Sequence, residues 1–251
     1  MTASVGPADR VALVTGAGSG IGRATAFHLA ELGAAVGCLD RNGESVDAVA
    51  AEIEQRGGRA VALHADVTQP AQVESAIAHL ADTLGPAAIL VNNAGVAGAG
   101  KLMDASIEDW QRVLDSHVFG TFLVTRAVLP AMLEAGWGRI VVIASEAVWL
   151  GHTSVQYATA KAGLVGFTRS LARQVAGEGV LVNAVAPGPV ETPMLFDNTP
   201  DEIEAERRTV LIGRFLQPEE IAATIGFLVG PGGDAYVGQV LSPNGGTVFP
   251  G

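Results

Sequence analysis

The stretch VALVTGAGSGIGRATA, residues 11–26, sets the architecture. An apolar run ends at Thr15, glycines follow at 16, 18, 20 and 22, and a helix-like run begins at Ile21. Glycines without Cβ permit a tight turn and close backbone approach, and the free N–H groups at the positive end of a helix dipole favour a pyrophosphate. A glycine-rich loop by itself is a weak signal. Its place after the first strand and at the opening of a helix is the context that predicts dinucleotide binding, with Gly16, Ser19, Gly20, Ile21 and Gly22 against the cofactor. The spacing is G-x-x-x-G-x-G and not G-x-G-x-x-G, because positions 21 and 23 are Ile and Arg.

The same alternation runs through the chain. Strand-like runs VALVTG, AAVGCLD, AVALHAD, AAILVNNAG, RIVVIAS, VLVNAVAPG and GQVLSPNGG are separated by helix-like stretches at 21–32, 44–56, 70–84, 107–135, 155–176 and 218–229. Strands that read as continuous apolar runs are buried on both faces, as in a parallel sheet covered by helices. The pattern predicts a single α/β domain over 1–251, an open, doubly wound sheet of seven parallel strands. Residues 188–213 break it with MLFDNTPDEIEAERRTVLIG, whose polar, acidic and proline content predicts a mobile loop or lid.

Composition excludes several classes. With 49% hydrophobic residues in 251, the chain can bury a large core. No apolar run approaches the ~18–20 residues of a membrane span, and the polar start MTASVGPADR lacks a signal peptide's apolar region. A soluble cytoplasmic protein is the expectation. The formal charge of −11 argues against nucleic acid and anionic membrane surfaces as partners. Cys38, the one cysteine, lies in an apolar run and reads as a buried structural thiol. There is no motif for a metal.

Asp40 ends the second strand-like run, where a carboxylate accepts hydrogen bonds from adenosine ribose hydroxyls and repels a 2′-phosphate. This favours NAD over NADP. Arg41 is the counter-signal, since a guanidinium there can pair with that phosphate. Asp66 and Asn92-Asn93-Ala94-Gly95 also fall at carboxyl ends of strands, the edge at which such sheets bind ligands; strand-end capping is their structural alternative.

Ser145 follows RIVVIAS, and Tyr157 and Lys161 lie in QYATAKAG. The i, i+4 spacing puts phenol and ammonium on one helical face, where the positive charge can stabilise a phenolate and lower the tyrosine's pKa. Tyr-x-x-x-Lys alone is common on ordinary helices. With the nucleotide loop and a strand-end serine it points to acid/base chemistry at a secondary alcohol, Ser145 orienting the substrate oxygen.

TGAGSGIG, Asp66, NNAG, Ser145, Tyr157-Ala-Thr-Ala-Lys161, Asn183 in VNAVAPG and PGPVETPM together resemble the short-chain dehydrogenase/reductase family, and the resemblance covers nearly the whole chain. It is nearest to the 3-oxoacyl-[acyl-carrier-protein]-reductase-like branch, through IGRFLQPEEIA and SPNGG. The resemblance implies a Rossmann-type fold and hydride transfer with a nicotinamide cofactor. It assigns Tyr157 the proton exchange, Lys161 the tuning of that phenol and the nicotinamide ribose, Ser145 the carbonyl and Thr192 the carboxamide. Val67, Pro187, Gly188 and Val190 are implied along the cofactor, and the assembly is implied to be a homotetramer, built on helices 107–135 and 155–176 and on the last helix and strand.

His117, in DSHVFGTF, reads by itself as a core histidine. The resemblance implies an Asn in this slot, as family members usually carry, where it supports a proton relay of waters beneath the lysine. An imidazole both donates and accepts, so His117 is expected to carry that relay, with a charge near Lys161 that depends on pH. Val96, Glu146, Trp149, His152, Val155, Met194, Leu195 and Phe196 are expected to face the substrate. Asp197, Asp201, Glu202, Glu204 and Glu206 in the lid weigh against phosphate-driven attraction of a CoA or carrier-protein thioester, while Arg207, Arg208 and Arg214 offer local positive charge. The first reading is an NAD-dependent dehydrogenase of a secondary alcohol or of a cyclic or acyl-type ketone. The alternatives are an NADPH-dependent 3-oxoacyl or polyketide-type ketoreductase and a non-catalytic dinucleotide-binding scaffold.

Overall fold

A computed structural model describes residues 6–98, 100–196 and 199–250. The chain alternates β1 (Val11–Thr15), α1 (Gly20–Glu31), β2 (Ala35–Asp40), α2 (Gly43–Gln55), β3 (Arg59–His64), α3 (Pro70–Thr83) and β4 (Ile89–Asn92). It continues through α4 (Ile107–Leu114), α5 (Gly120–Glu134), β5 (Gly138–Ile143), α6 (Ala147–Leu150), α7 (Val155–Val175) and β6 (Val180–Val185). The last elements are α8 (Pro193–Phe196), α9 (Pro200–Arg207), α10 (Pro218–Val229) and β7 (Val240–Leu241). The strands form one parallel sheet in the order β3-β2-β1-β4-β5-β6-β7, as the alternation predicts.

Side chains alternate across each strand, so the sheet divides the core in two. Ala12 and Val14 of β1 join Leu29, Val49, Ile53 and Ile225 from α1, α2 and α10 on one face. Leu13 joins Leu80, Val128, Met132 and Leu164 from α3, α5 and α7 on the other. Both faces being covered is why the strands read as unbroken apolar runs. Cys38 is fully buried in β2, and burial pushes its thiol up to about 12, so it is an inert packing residue.

Three expectations change. The helix expected over 107–135 is two helices joined by a π-helical turn at Asp115–Phe119, the segment that carries His117. Single π turns inside helices recur at functional sites, because the widened turn re-aims its side chains. By length and composition 107–134 could cross a membrane, yet Val113, Val124, Val128 and Met132 are buried in the domain, the pattern of a core helix. The segment at 188–213 contains two short helices, and α9 is closed by a reciprocal cap between Thr199 and Glu202; Asp197 lies outside the described residues. The last strand is only Val240–Leu241, paired to β6 through Ala184 and Val185.

Gly37 of β2 faces Leu80 of α3 so closely that an added Cβ would lie 2.7 Å from Leu80 Cδ1. Gly37→Ala is expected to cost about 1–2 kcal/mol by overpacking, and Leu80→Ala about 3 kcal/mol by leaving a cavity. In the double variant the new methyl enters the vacated space, so the combined loss measured by urea denaturation should be smaller than the sum.

Candidate active site

Strand order reverses between β1 and β4, and in such a sheet the connections leaving the two strands run to opposite faces and open a crevice at their carboxyl ends. A cavity of about 280 Å³ lies there, lined by Gly16, Asp40, Arg41, Asp66, Val67, Ala94, Gly95 and Val96. Gly16 has φ +66° and Gly20 φ +51°, both in the left-handed region, and a Cβ on Gly22 would lie 2.0 Å from the Gly16 carbonyl oxygen. The loop is therefore closed by residues that have no side chain to give.

The first turn of α1 holds no acidic residue, and the Ser19 side chain makes no capping bond. Its leading N–H groups are thus left for an anion, which fits a dinucleotide pyrophosphate. Asp40 accepts from the Gly18 N–H at 3.0 Å and the Asn42 N–H at 2.9 Å, which fixes its carboxylate against the glycine loop. Asp66 accepts from the Thr68 N–H and hydroxyl, both at 2.8 Å. The Asn93 amide donates to the Thr15 and Gly16 carbonyls, at 3.0 and 3.2 Å, and so braces the glycine loop. Gly188 donates to the Pro243 carbonyl, Pro187 accepts from Glu146, and Val190 is buried beside Leu216. A Cβ on Gly20 would lie 3.1 Å from Thr192 Cγ2, so Thr192 reaches the loop from the far side of the crevice.

At the other end α7 carries Tyr157 and Lys161, and its N-cap Ser154 accepts from the Tyr157 N–H at 3.4 Å. Burial raises the Tyr157 pKa above its ordinary 10; the hydrogen bond with Ser145 opposes this, and the charges of Glu206 and Glu146 reinforce it. The Lys161 ammonium lies 5.6 Å from the Tyr157 ring centre and donates to the Ile143 carbonyl at 2.7 Å, while burial brings its pKa down to about 7. Burial thus sets the direction of both shifts.

His117 is buried, with Nε2 2.9 Å from the Val96 carbonyl oxygen and 3.2 Å from the Val96 nitrogen. Its ring meets Tyr157 edge-on with centres 5.6 Å apart, and Nδ1 has no hydrogen-bond partner among the described residues. A Cβ on Gly95 would lie 2.1 Å from the imidazole Cε1. Burial, then the Lys161 charge, pushes the His117 pKa down to about 3, against the Val96 hydrogen bond. The expected pH-dependent charge is thus absent across the neutral range: the ring is a neutral imidazole.

Of the residues expected at the substrate, His152 and Glu146 lie near the phenol. Glu146 accepts from the Thr247 hydroxyl, and burial raises its pKa. His152 lies 5.0 Å from Tyr157 between ring centres, and Trp149 and Met194 are partly exposed. Leu195, expected to face substrate, is buried with Val210 and Phe215 in a small cluster belonging to the lid. Sequence reading missed Thr247, 101 positions from its partner, and gave Glu206 no part at the tyrosine. Arg112 of α4 and Asp115 at the start of the π turn also line the cavity, and sequence reading gave them no part.

The short chain dehydrogenase family model matches residues 10–203, and the chain belongs to this family. It is 41% identical to a 3-oxoacyl-[acyl-carrier-protein] reductase of Synechocystis over 96% of this chain and 97% of the relative. It is 42% identical to a (2S)-[(R)-hydroxy(phenyl)methyl]succinyl-CoA dehydrogenase subunit of Thauera aromatica over 96% and 98%. The 3-ketoacyl-(acyl-carrier-protein) reductase of Brucella melitensis complexed with NADH superposes with a TM-score of 0.91 at 30% identity, covering 97% of this chain and all of that one. An actinorhodin polyketide ketoreductase variant with NADPH gives 0.90 at 38% identity, covering 95% and 97%. The protein is therefore an oxidoreductase that interconverts an alcohol CH–OH and a ketone with a dinucleotide cofactor.

Because the folded His117 pKa is about 3 against an ordinary 6.5, its contribution to stability is complete above pH 6.5 and drains away as pH falls towards 3. Urea midpoints measured from about pH 7.5 to pH 4 should drop less steeply for His117→Asn than for wild type. Parallel slopes would mean that the imidazole is not held neutral.

Proposed function

We propose that this enzyme reduces the 3-oxo group of an acyl thioester to the 3-hydroxyl, with NADH as the preferred hydride donor. One observation carries the reading: Ser145, Tyr157 and Lys161 converge beside the crevice of a chain about two-fifths identical, over nearly its full length, to enzymes named for 3-oxoacyl and CoA thioesters. The glycine loop, Asp40 and Thr192 would hold a nicotinamide cofactor, which would supply the hydride. Ser145 and Tyr157 hold the ketone oxygen by their hydroxyls, and Tyr157 gives its proton to that oxygen as the alcohol forms. Lys161 stabilises the resulting phenolate. His117, a neutral imidazole with Nδ1 unpartnered among the described residues, would hand on the replacing proton from the slot where family members usually carry Asn.

Asp40 carries the preference for NADH, since its carboxylate is fixed where a 2′-phosphate would sit. NADPH is the second reading: Arg41 lines the cavity beside Asp40, and the actinorhodin relative is an NADPH complex. The arginines of the lid region are engaged, Arg207 and Arg208 with Glu204 and Arg214 with Glu220. Attraction of an acidic carrier protein or CoA by these charges is correspondingly weak, and recognition rests on the acyl group near the reacting carbon. Exposed Phe119 and Phe122, stacked on the outer side of the π turn and α5, support the expected homotetramer.

Turnover of an acetoacetyl thioester, followed with NADH and NADPH in parallel, should favour NADH, and Asp40→Ser should shift the preference towards NADPH. A wild-type preference for NADPH would give the second reading first place. Tyr157→Phe should lower kcat by about 1000-fold while leaving the dinucleotide Kd, from fluorescence titration, nearly unchanged. Retention of most activity by that variant would rule out the mechanism.

A further inference from the structure

Two imidazoles flank the Tyr157 ring. His117 lies inside, and His152 lies at the mouth, its ring centre 5.0 Å from the phenol ring and tilted by 48°. The Ser154 N–H, on the residue that caps α7, donates to His152 Nδ1 at 3.0 Å. In a neutral imidazole an acceptor at one nitrogen places the proton on the other, so Nε2 is an N–H donor on the opposite side of the ring. Partial burial lowers the ring's pKa, which keeps this neutral form. The same mouth carries Glu146, whose carboxylate is tied to Thr247 and, while ionised, only accepts. Beside the reacting phenol the wall therefore combines an acceptor with a donor whose direction is set by the helix cap.

We propose that His152 is the specificity-determining residue for a second oxygen on the substrate, its Nε2–H donating to the thioester carbonyl while Ser145 and Tyr157 hold the ketone. This rests on the 3-oxoacyl reading. A monoketone offers nothing to that donor, and a site built around a hydrogen bond discriminates strongly against the analogue that lacks it.

Two substitutions separate recognition from loop architecture. His152→Asn keeps an acceptor near the position of Nδ1 for the Ser154 N–H but loses the donor at the tip, and His152→Gln keeps a donor near the position of Nε2. Kinetics are measured with the N-acetylcysteamine thioester of acetoacetate and with a simple methyl ketone of the same carbon chain. Wild type should prefer the thioester. His152→Asn should raise its KM by about tenfold with kcat little changed and leave the monoketone within about twofold, whereas His152→Gln should keep most of the preference. An undiminished preference in His152→Asn, an equal loss on both substrates, or a greater loss in His152→Gln than in His152→Asn would overturn the role and leave the 3-oxoacyl reading standing. Wild-type enzyme with no preference for the thioester would overturn both.

Discussion

Thr15 and Asn93 tie β1 to β4 at the point where strand order reverses, and the rest of the site is hung from that joint. The buried Thr15 hydroxyl donates to Val91 and accepts from the Asn93 and Ala94 N–H groups, while the Asn93 amide holds the Thr15 and Gly16 carbonyls. These bonds satisfy backbone groups that leave the sheet ladder at the strand ends, where burial without a partner is costly. They also fix the glycine loop against the Ala94–Val96 segment, which in turn holds His117 by its backbone.

From that joint the site divides by polarity. The phosphate end is a set of backbone donors on an open loop, whereas the reactive end sets a half-buried phenol beside a buried ammonium and a buried imidazole. Each of the three is displaced towards its neutral form, chiefly by burial. Transfer of the phenol's proton to a substrate oxygen leaves a phenolate in a medium of low polarity, where the Lys161 ammonium, 5.6 Å from the ring centre, is the positive charge at hand.

Much of this was legible in the residues. The alternation of apolar runs with helical stretches foretold seven parallel strands because burial on both faces removes polar alternation from the strands. The glycine loop, Asp40, Ser145, Tyr157 and Lys161 were each visible as a residue type at a telling place. The π turn was not, since 107–135 reads as one helix-like stretch and a widened turn has no residue type of its own. The direction of the tyrosine's shift was equally hidden: spacing reports which charges are near, and burial, which prevails here, depends on the whole fold. Leu195 went astray because a hydrophobic residue in a lid has two sinks, the ligand or its own helix partners.

The clasp between Thr247 and Glu146 joins parts of the chain 101 positions apart. The wall beside Ser145 is thus completed by a hydroxyl from the segment after β7, whereas the glycine loop is braced from β1 and β4. A contact of such separation carries a large loop-closure entropy and is held only while the intervening fold stays closed. The two ends of the site therefore differ in how they fail: loosening of the segment after β7 unpins the substrate wall and leaves the bracing of the loop in place.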